Sequence, residues 1–228
     1  MAKKHLYLGA DSNPLGGPKH GRSEIAIVGR SNVGKSTLLN QLVKSKAART
    51  SRTPGRTQLL QFFEIPGLRS VLLDLPGLGY AKVPEKIKRK LQRMVIESLQ
   101  GREPLKGLLL LVDIRRNPGD IERNLLDIAL RRGLKVTVVA TKADQIPKHK
   151  VKPATEKLAQ WAGLKPSDTL AISAKSHLGV DKLRDRIALW SKAFDPEEEE
   201  PSQEEHQESG TEEEPSQEGN QEPGTEEE

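Results

Sequence analysis

The first stretch with chemistry in it is Gly29-Arg30-Ser31-Asn32-Val33-Gly34-Lys35-Ser36-Thr37, directly after the apolar run Ile25-Ala26-Ile27-Val28. Gly29 to Ser36 satisfies G-x-x-x-x-G-K-[ST], and Thr37 to Val43 continues with the apolar spacing of a helix. A short strand, a glycine loop and a helix in that order make a phosphate-binding loop. Gly29 and Gly34 let backbone N–H groups turn inward on phosphate oxygens, a nest that side chains would fill. The helix starting near Lys35 adds the positive end of its dipole. Lys35 reaches the β- and γ-phosphates, and the Ser36 hydroxyl is a ligand for Mg²⁺. The bland alternative, a chance glycine turn before a helix, does not require every fixed position of this pattern in its proper setting.

Three further polar motifs each follow an apolar run: Asp74-Leu75-Pro76-Gly77, Thr141-Lys142-Ala143-Asp144 and Ser173-Ala174-Lys175. Singly they have plain alternatives, namely a surface turn, a helix cap and a strand end. Their common placement depends on the elements that must carry them. Strands fit 24–28, 58–65, 70–74, 107–112, 134–140 and 169–173; helices fit 35–44, 84–100, 119–132, 153–162 and 179–192. The connection Pro66-Gly67-Leu68-Arg69 is too short for a crossover, so 58–65 and 70–74 form an antiparallel hairpin. The rest alternates strand and helix. The expected fold is therefore α/β, a mostly parallel six-stranded sheet with one antiparallel hairpin strand and helices on both faces. Such sheets bind ligands at the carboxyl ends of their strands, where all four motifs fall.

With 228 residues the chain suits one α/β domain, and with no cysteine it has neither disulfides nor thiolate metal sites. Residues 1–17 lack a sustained apolar stretch and a cleavage-like ending, so no secretory signal is expected. No apolar run approaches the roughly 20 residues of a membrane span. A cytoplasmic monomer is expected. The net charge of +5 hides an asymmetry: residues 195–228 hold 16 of the 32 acidic side chains and none of the 37 basic ones, leaving residues 1–194 at +21. A body that basic suits a polyanionic partner. The tail repeats Glu-Glu-Glu-Pro-Ser-Gln-Glu at 198–204 and 212–218, a 14-residue period with nothing apolar in it. Such a composition predicts disorder.

Taken together, "GRSNVGKS", "TPGRTQ", "DLPG" followed by "LGYA", "TKAD" and "SAK" resemble the translation-factor-related GTPases. Within these the chain resembles the EngB (also YihA or YsxC) ribosome-biogenesis GTP-binding proteins, over residues 20–192. The resemblance implies a GTP-binding domain, here at 23–194 after an N-terminal extension at 1–22; the acidic tail at 195–228 lies outside it and is marked by composition alone. The resemblance implies binding of GTP and GDP, hydrolysis with Mg²⁺, and action on precursors of the large ribosomal subunit and their RNA. It also implies an association with cell division and septation.

Roles follow residue by residue. Guanine presents a donor edge that a single carboxylate accepts, and Asp144 is placed for it; adenine would leave that carboxylate unpaired. The Lys142 stem lies along the base. Most GTPases have Asn where this chain has Thr141, and the EngB-like proteins have Thr. By resemblance the Ala174 N–H meets the guanine carbonyl, with Ala143, Ile172, Ser173 and Lys175 completing the base end. Asp74 is the expected water-mediated Mg²⁺ partner, and the Gly77 N–H, beyond Leu75 and Pro76, the γ-phosphate sensor. The polar segment 45–57 reads as a loop ordered by γ-phosphate and Mg²⁺. By resemblance Thr57 supplies a hydroxyl to the metal there, beside Gly55 and Arg56; the other reading is a threonine that opens a strand.

Ras-like switches place a water-orienting glutamine after the D-x-x-G glycine. Here Leu78 stands there, so slow intrinsic hydrolysis is expected. Relatives with Asn at the position of Asn32 use it to bind K⁺, whose charge could serve the transition state; the alternative is a loop residue in a left-handed backbone. Arg30 and Arg56 are the other cationic candidates. Helix 84–100 sets Ile87, Leu91, Met94, Val95 and Leu99 on one face and Lys86, Lys88, Arg89, Lys90 and Arg93 largely elsewhere. That basic face is either a solvated surface or a contact for RNA phosphates. Two other classes compete. A phosphate-loop kinase would have no use for the third and fourth motifs, and an RNA-binding protein with nucleotide as a structural ligand would show no turnover.

Overall fold

The computed structural model describes residues 6–45, 59–79 and 83–194. All lie in the first of two units, Met1–Glu197 and Glu198–Glu228, into which the chain divides. Gly55, Arg56 and Thr57, and the acidic tail, lie outside the described residues. The elements run β1 (Tyr7–Asp11), β2 (Glu24–Gly29), α1 (Lys35–Leu42), β3 (Leu60–Glu64), β4 (Val71–Asp74) and α2 (Glu85–Gly101). They continue with β5 (Leu105–Asp113), α3 (Asp120–Arg131), β6 (Lys135–Thr141), α4 (Lys148–Ala162), β7 (Thr169–Ala171) and α5 (Val180–Phe194).

The strands form one sheet in the order β1-β3-β4-β2-β5-β6-β7. β3 is antiparallel to both of its neighbours and every other pair is parallel, so one strand opposes the rest. The hairpin expected from the short connection is β3–β4, with Gln61 opposite Asp74 and Phe63 opposite Leu72. The sheet has seven strands rather than the expected six. The addition is β1, a five-residue edge strand with an irregularity between Tyr7 and Gly9. It is too short and too exposed to show either an apolar run or clean alternation.

The central strands are apolar throughout because both faces are covered. Alternate residues supply two cores. Ala26, Val28, Leu108, Leu110 and Val138 meet α2, α3 and α4 through Val95, Leu125, Leu126 and Leu158. Ile25, Ile27, Leu109, Leu111 and Val139 meet α1 and α5 through Leu38, Leu39, Leu183 and Ile187. In α2 the expected residues Leu91, Met94, Val95 and Leu99 are buried, and Ile87 only half so.

α4 begins at Lys148, five residues before the start expected at Pro153, which lies inside the helix. Proline favours a first turn, hence the expectation, but one turn further on it removes a single N–H. The carbonyl this frees belongs to exposed His149, open to water. Thr155 adds side-chain bonds there, its hydroxyl donating to the carbonyls of Val151 and Lys152 at 3.2 and 2.8 Å.

At the amino end of the sheet, fully buried Glu24 pairs with buried Arg102. Arg102 Nη2 donates to Glu24 Oε1 at 2.7 Å and its Nε to Oε2. His20 Nε2 lies 3.0 Å from the same carboxylate. The guanidinium sits 4.8 Å from the Phe62 ring centre and also donates to the Gly16 carbonyl. These bonds hold the segment before β2 in place.

Candidate nucleotide site

All four motifs leave the carboxyl ends of parallel strands: β2 runs into Gly29, β4 ends at Asp74, β6 at Thr141, and β7 leads to Ile172-Ser173-Ala174-Lys175. Gly34 caps α1 with φ +104°, a conformation side chains resist. Gly29 is also required by packing. A Cβ there would lie 2.8 Å from both the Cβ and the carbonyl oxygen of Leu111. Close packing on β5 demands that glycine. Val33 is buried beneath the loop, Ser31 and Ser36 are half-buried, and Asn32 and Thr37 are exposed. Asn32 adopts φ 63°, which by itself accounts for an asparagine at this position.

The Asp74 segment is stitched to the phosphate loop by backbone. Leu78 N–H donates to the Gly29 carbonyl at 3.1 Å, and Ser31 N–H to the Leu78 carbonyl at 2.7 Å. Between these ties Leu75, Pro76 and Gly77 are buried, and Leu78 is a core residue at 2% exposure. Lys35 Nζ bonds to Asp74 Oδ1, both side chains being nearly enclosed. Burial pushes the Asp74 carboxyl above the usual carboxylate range, and the Lys35 charge opposes that shift. Ser36 and Asp74 are hard oxygen donors, the kind that suits Mg²⁺. Arg30 Nε is 3.9 Å from the buried carboxylate of Glu122 on α3, with half of its own side chain open to solvent.

At the base end, the Thr141 hydroxyl donates to the Val112 carbonyl at 3.2 Å, tying β6 to β5. Lys142 takes a left-handed backbone, φ 61°, and its Nζ lies 3.0 Å from Asp113 Oδ2. Asp113 also accepts from Arg115 Nε and Nη2 at 2.8 and 2.6 Å. These bonds, Arg115 foremost, hold its carboxyl well below the usual range against the effect of burial. Ala143 N–H donates to the Ile172 carbonyl at 3.1 Å, joining the third motif to the fourth. Gln41 of α1 donates to the Ala174 carbonyl. The Asp144 carboxylate and Lys175 are exposed and open to a ligand. Asp113 and Gln41 are not legible as site residues in the sequence. The one signal was Asp113-Ile114-Arg115, an acid and a base two apart at the end of the longest apolar strand.

A phosphate loop, a D-x-x-G segment stitched to it and a base end at two neighbouring strand ends define a P-loop GTPase. Residues 24–142 match the family described as 50S ribosome-binding GTPase. The probable GTP-binding protein EngB of Edwardsiella ictaluri (strain 93-146) is 44% identical over 181 residues, 77% of this chain and 82% of that protein. The chain belongs to the EngB family of GTP-binding proteins. The crystal structure of a probable GTP-binding protein engB superposes with a TM-score of 0.62 at 23% identity, covering 72% of this chain and 96% of that one. Era in complex with MgGDPNP and nucleotides 1506–1542 of 16S ribosomal RNA gives 0.60 at 26% identity, over 74% of this chain and 56% of Era.

Proposed function

We propose that the protein hydrolyses GTP with Mg²⁺ and acts in the cytoplasm as a switch in ribosome assembly, on precursors of the large subunit. Its association with cell division and septation follows from ribosome supply. The observation that carries this is the convergence of Lys35, Asp74, Lys142, Asp144 and Ala174 on one end of the sheet. Gly34, Lys35 and the first turn of α1 bind the phosphates. Ser36 and Asp74, with Thr57, would hold Mg²⁺, which neutralises charge on the phosphate oxygens. Asp144 accepts from the guanine edge, and the Ala174 N–H donates to its carbonyl. The Gly77 N–H senses the γ-phosphate.

Leu78, locked in the core, orients no water, so turnover alone is expected below the ~1 s⁻¹ low end of common enzymes. A K⁺ ion held by Asn32, or Arg30 or Arg56 in its place, is left to supply transition-state charge. RNA phosphates are met by cations such as Lys86, Lys90 and Arg93, exposed on α2 just beyond the Asp74 segment. Era, a structural relative, is seen with MgGDPNP and 16S ribosomal RNA, which supports a ribosomal role for a GTPase of this fold, while the family description as 50S ribosome-binding GTPase supports the large subunit.

Guanine nucleotides are expected to bind at least ~100-fold tighter than adenine ones, about 2.7 kcal/mol. Co-sedimentation with large subunits should require a non-hydrolysable GTP analogue. For Asp144→Asn it should require the xanthosine analogue instead. Sedimentation indifferent to nucleotide would overturn the switch, and equal ATP and GTP affinity would overturn the base assignment.

A further inference from the structure

The geometry points to Asp113 as a positioning residue of the base end: it holds Lys142 in the orientation in which its stem covers the guanine, and it acts through Lys142 alone. This rests on the guanine reading above. Asp113 is the last residue of β5 and pairs in register with Thr141, so strand pairing fixes it beside Lys142. The Thr141 hydroxyl bond to Val112 and the Ile114 N–H bond to the Thr141 carbonyl, 3.0 Å, lock the two strand ends together. The carboxylate is 8% exposed and cannot follow a wandering ammonium.

Lysine is the flexible partner. Its four-carbon stem has many rotamers, and the Lys142 side chain is 24% exposed, so water alone would leave it unordered. Its left-handed backbone starts the stem in a set direction, and the bond to Asp113 Oδ2 fixes the far end. A stem fixed at both ends is ordered before the base arrives, which spares binding the cost of ordering it. The three bonds from Arg115, one of them from its backbone N–H at 3.1 Å, would suffice to satisfy Asp113 if the acid served only the fold. Lys142 itself is among the groups that lower the Asp113 carboxyl's pKa, so an ion pair with the ammonium does not depend on Arg115.

A double-mutant cycle on the full chain, read by titration with fluorescent GDP, tests this. Asp113→Asn should weaken GDP about tenfold, the low end for loss of a ligand-orienting partner. In a Lys142→Met background the same change should cost less than about twofold, the range within which independent sites add. Arg115→Ala leaves the Asp113–Lys142 bond in place and should leave GDP affinity within that same twofold. Additive losses from Asp113→Asn and Lys142→Met would overturn the inference, as would an Arg115→Ala loss equal to that of Asp113→Asn. Asp113→Ser is read by the same criteria should Asp113→Asn fail to fold. Failure of the guanine reading shows separately, as equal ATP and GTP binding by the unmodified protein, and the cycle then runs on either nucleotide.

Discussion

Two buried carboxylates at opposite ends of the sheet are furnished differently. Glu24, at the amino end of β2, takes two bonds from Arg102 and a third contact from His20, under a segment of chain that those partners also hold. Asp74, at the carboxyl end of neighbouring β4, has Lys35 as its one side-chain partner among the described residues. Glu24 is saturated by its own chain. Asp74 keeps unused acceptor capacity at a place where burial works against its charge, so a cation arriving there lowers its free energy. On the proposed function, the difference separates a charge built into the fold from one reserved for a ligand, although both belong to short-range acid–base pairs.

The largest effect should come from breaking the saturated end. Arg102→Ala leaves Glu24 buried without its main partner and should cost about 3–5 kcal/mol in urea unfolding. GTP affinity of the folded protein should stay as it was, because the proposed nucleotide site lies at the far end of the sheet. Next comes the reserved end. Asp74→Asn should weaken Mg²⁺ dependence of nucleotide binding 10–100-fold. It should lower the urea midpoint less than Arg102→Ala does: a carboxyl whose folded pKa is elevated loses stability as pH rises and an amide escapes that loss, which offsets in part the lost partner of Lys35. An equal fall in both readouts would erase the distinction between the two ends.

The smallest effect concerns Asp113, whose folded pKa lies below its ordinary 3.8, by Arg115 first. Such a group contributes stability above that ordinary value and loses it as the pH falls through the range below. The urea midpoint of the unmodified protein should therefore drop more steeply below pH 4 than that of Asp113→Asn. Arg115 is partly exposed, so water screens the effect.

The order of strands and helices, the hairpin and the four motifs were legible because each rests on local pattern: apolar runs, a turn too short to cross over, glycines at fixed spacing. What stayed hidden depends on pairing across the chain. Glu24 reads as an ordinary strand opening until Arg102, 78 residues on, meets it. Asp113 lies one residue past the strand expected at 107–112, and its partner Lys142 is reached only through β5–β6 register. Gln41 reads as part of a helix and not as a clasp on Ala174. The role of Gly29 was partly legible, since the spacing demanded the residue but could not reveal Leu111 pressing on it.

β1 pairs along the outer side of β3, with Ala10 opposite Gln61 and Asp11 opposite Leu60, and the Tyr7 ring 5.5 Å from that of Phe63. A fragment trimmed to begin at Glu24, where the family match begins, would uncover that side. The bared strand Leu60-Gln61-Phe62-Phe63-Glu64 carries two phenylalanines and a row of unsatisfied backbone groups. An open edge of that kind recruits the same edge of another chain. Trimming for convenience would thus trade five residues of cover for a route to self-association, with every nucleotide-binding motif still intact.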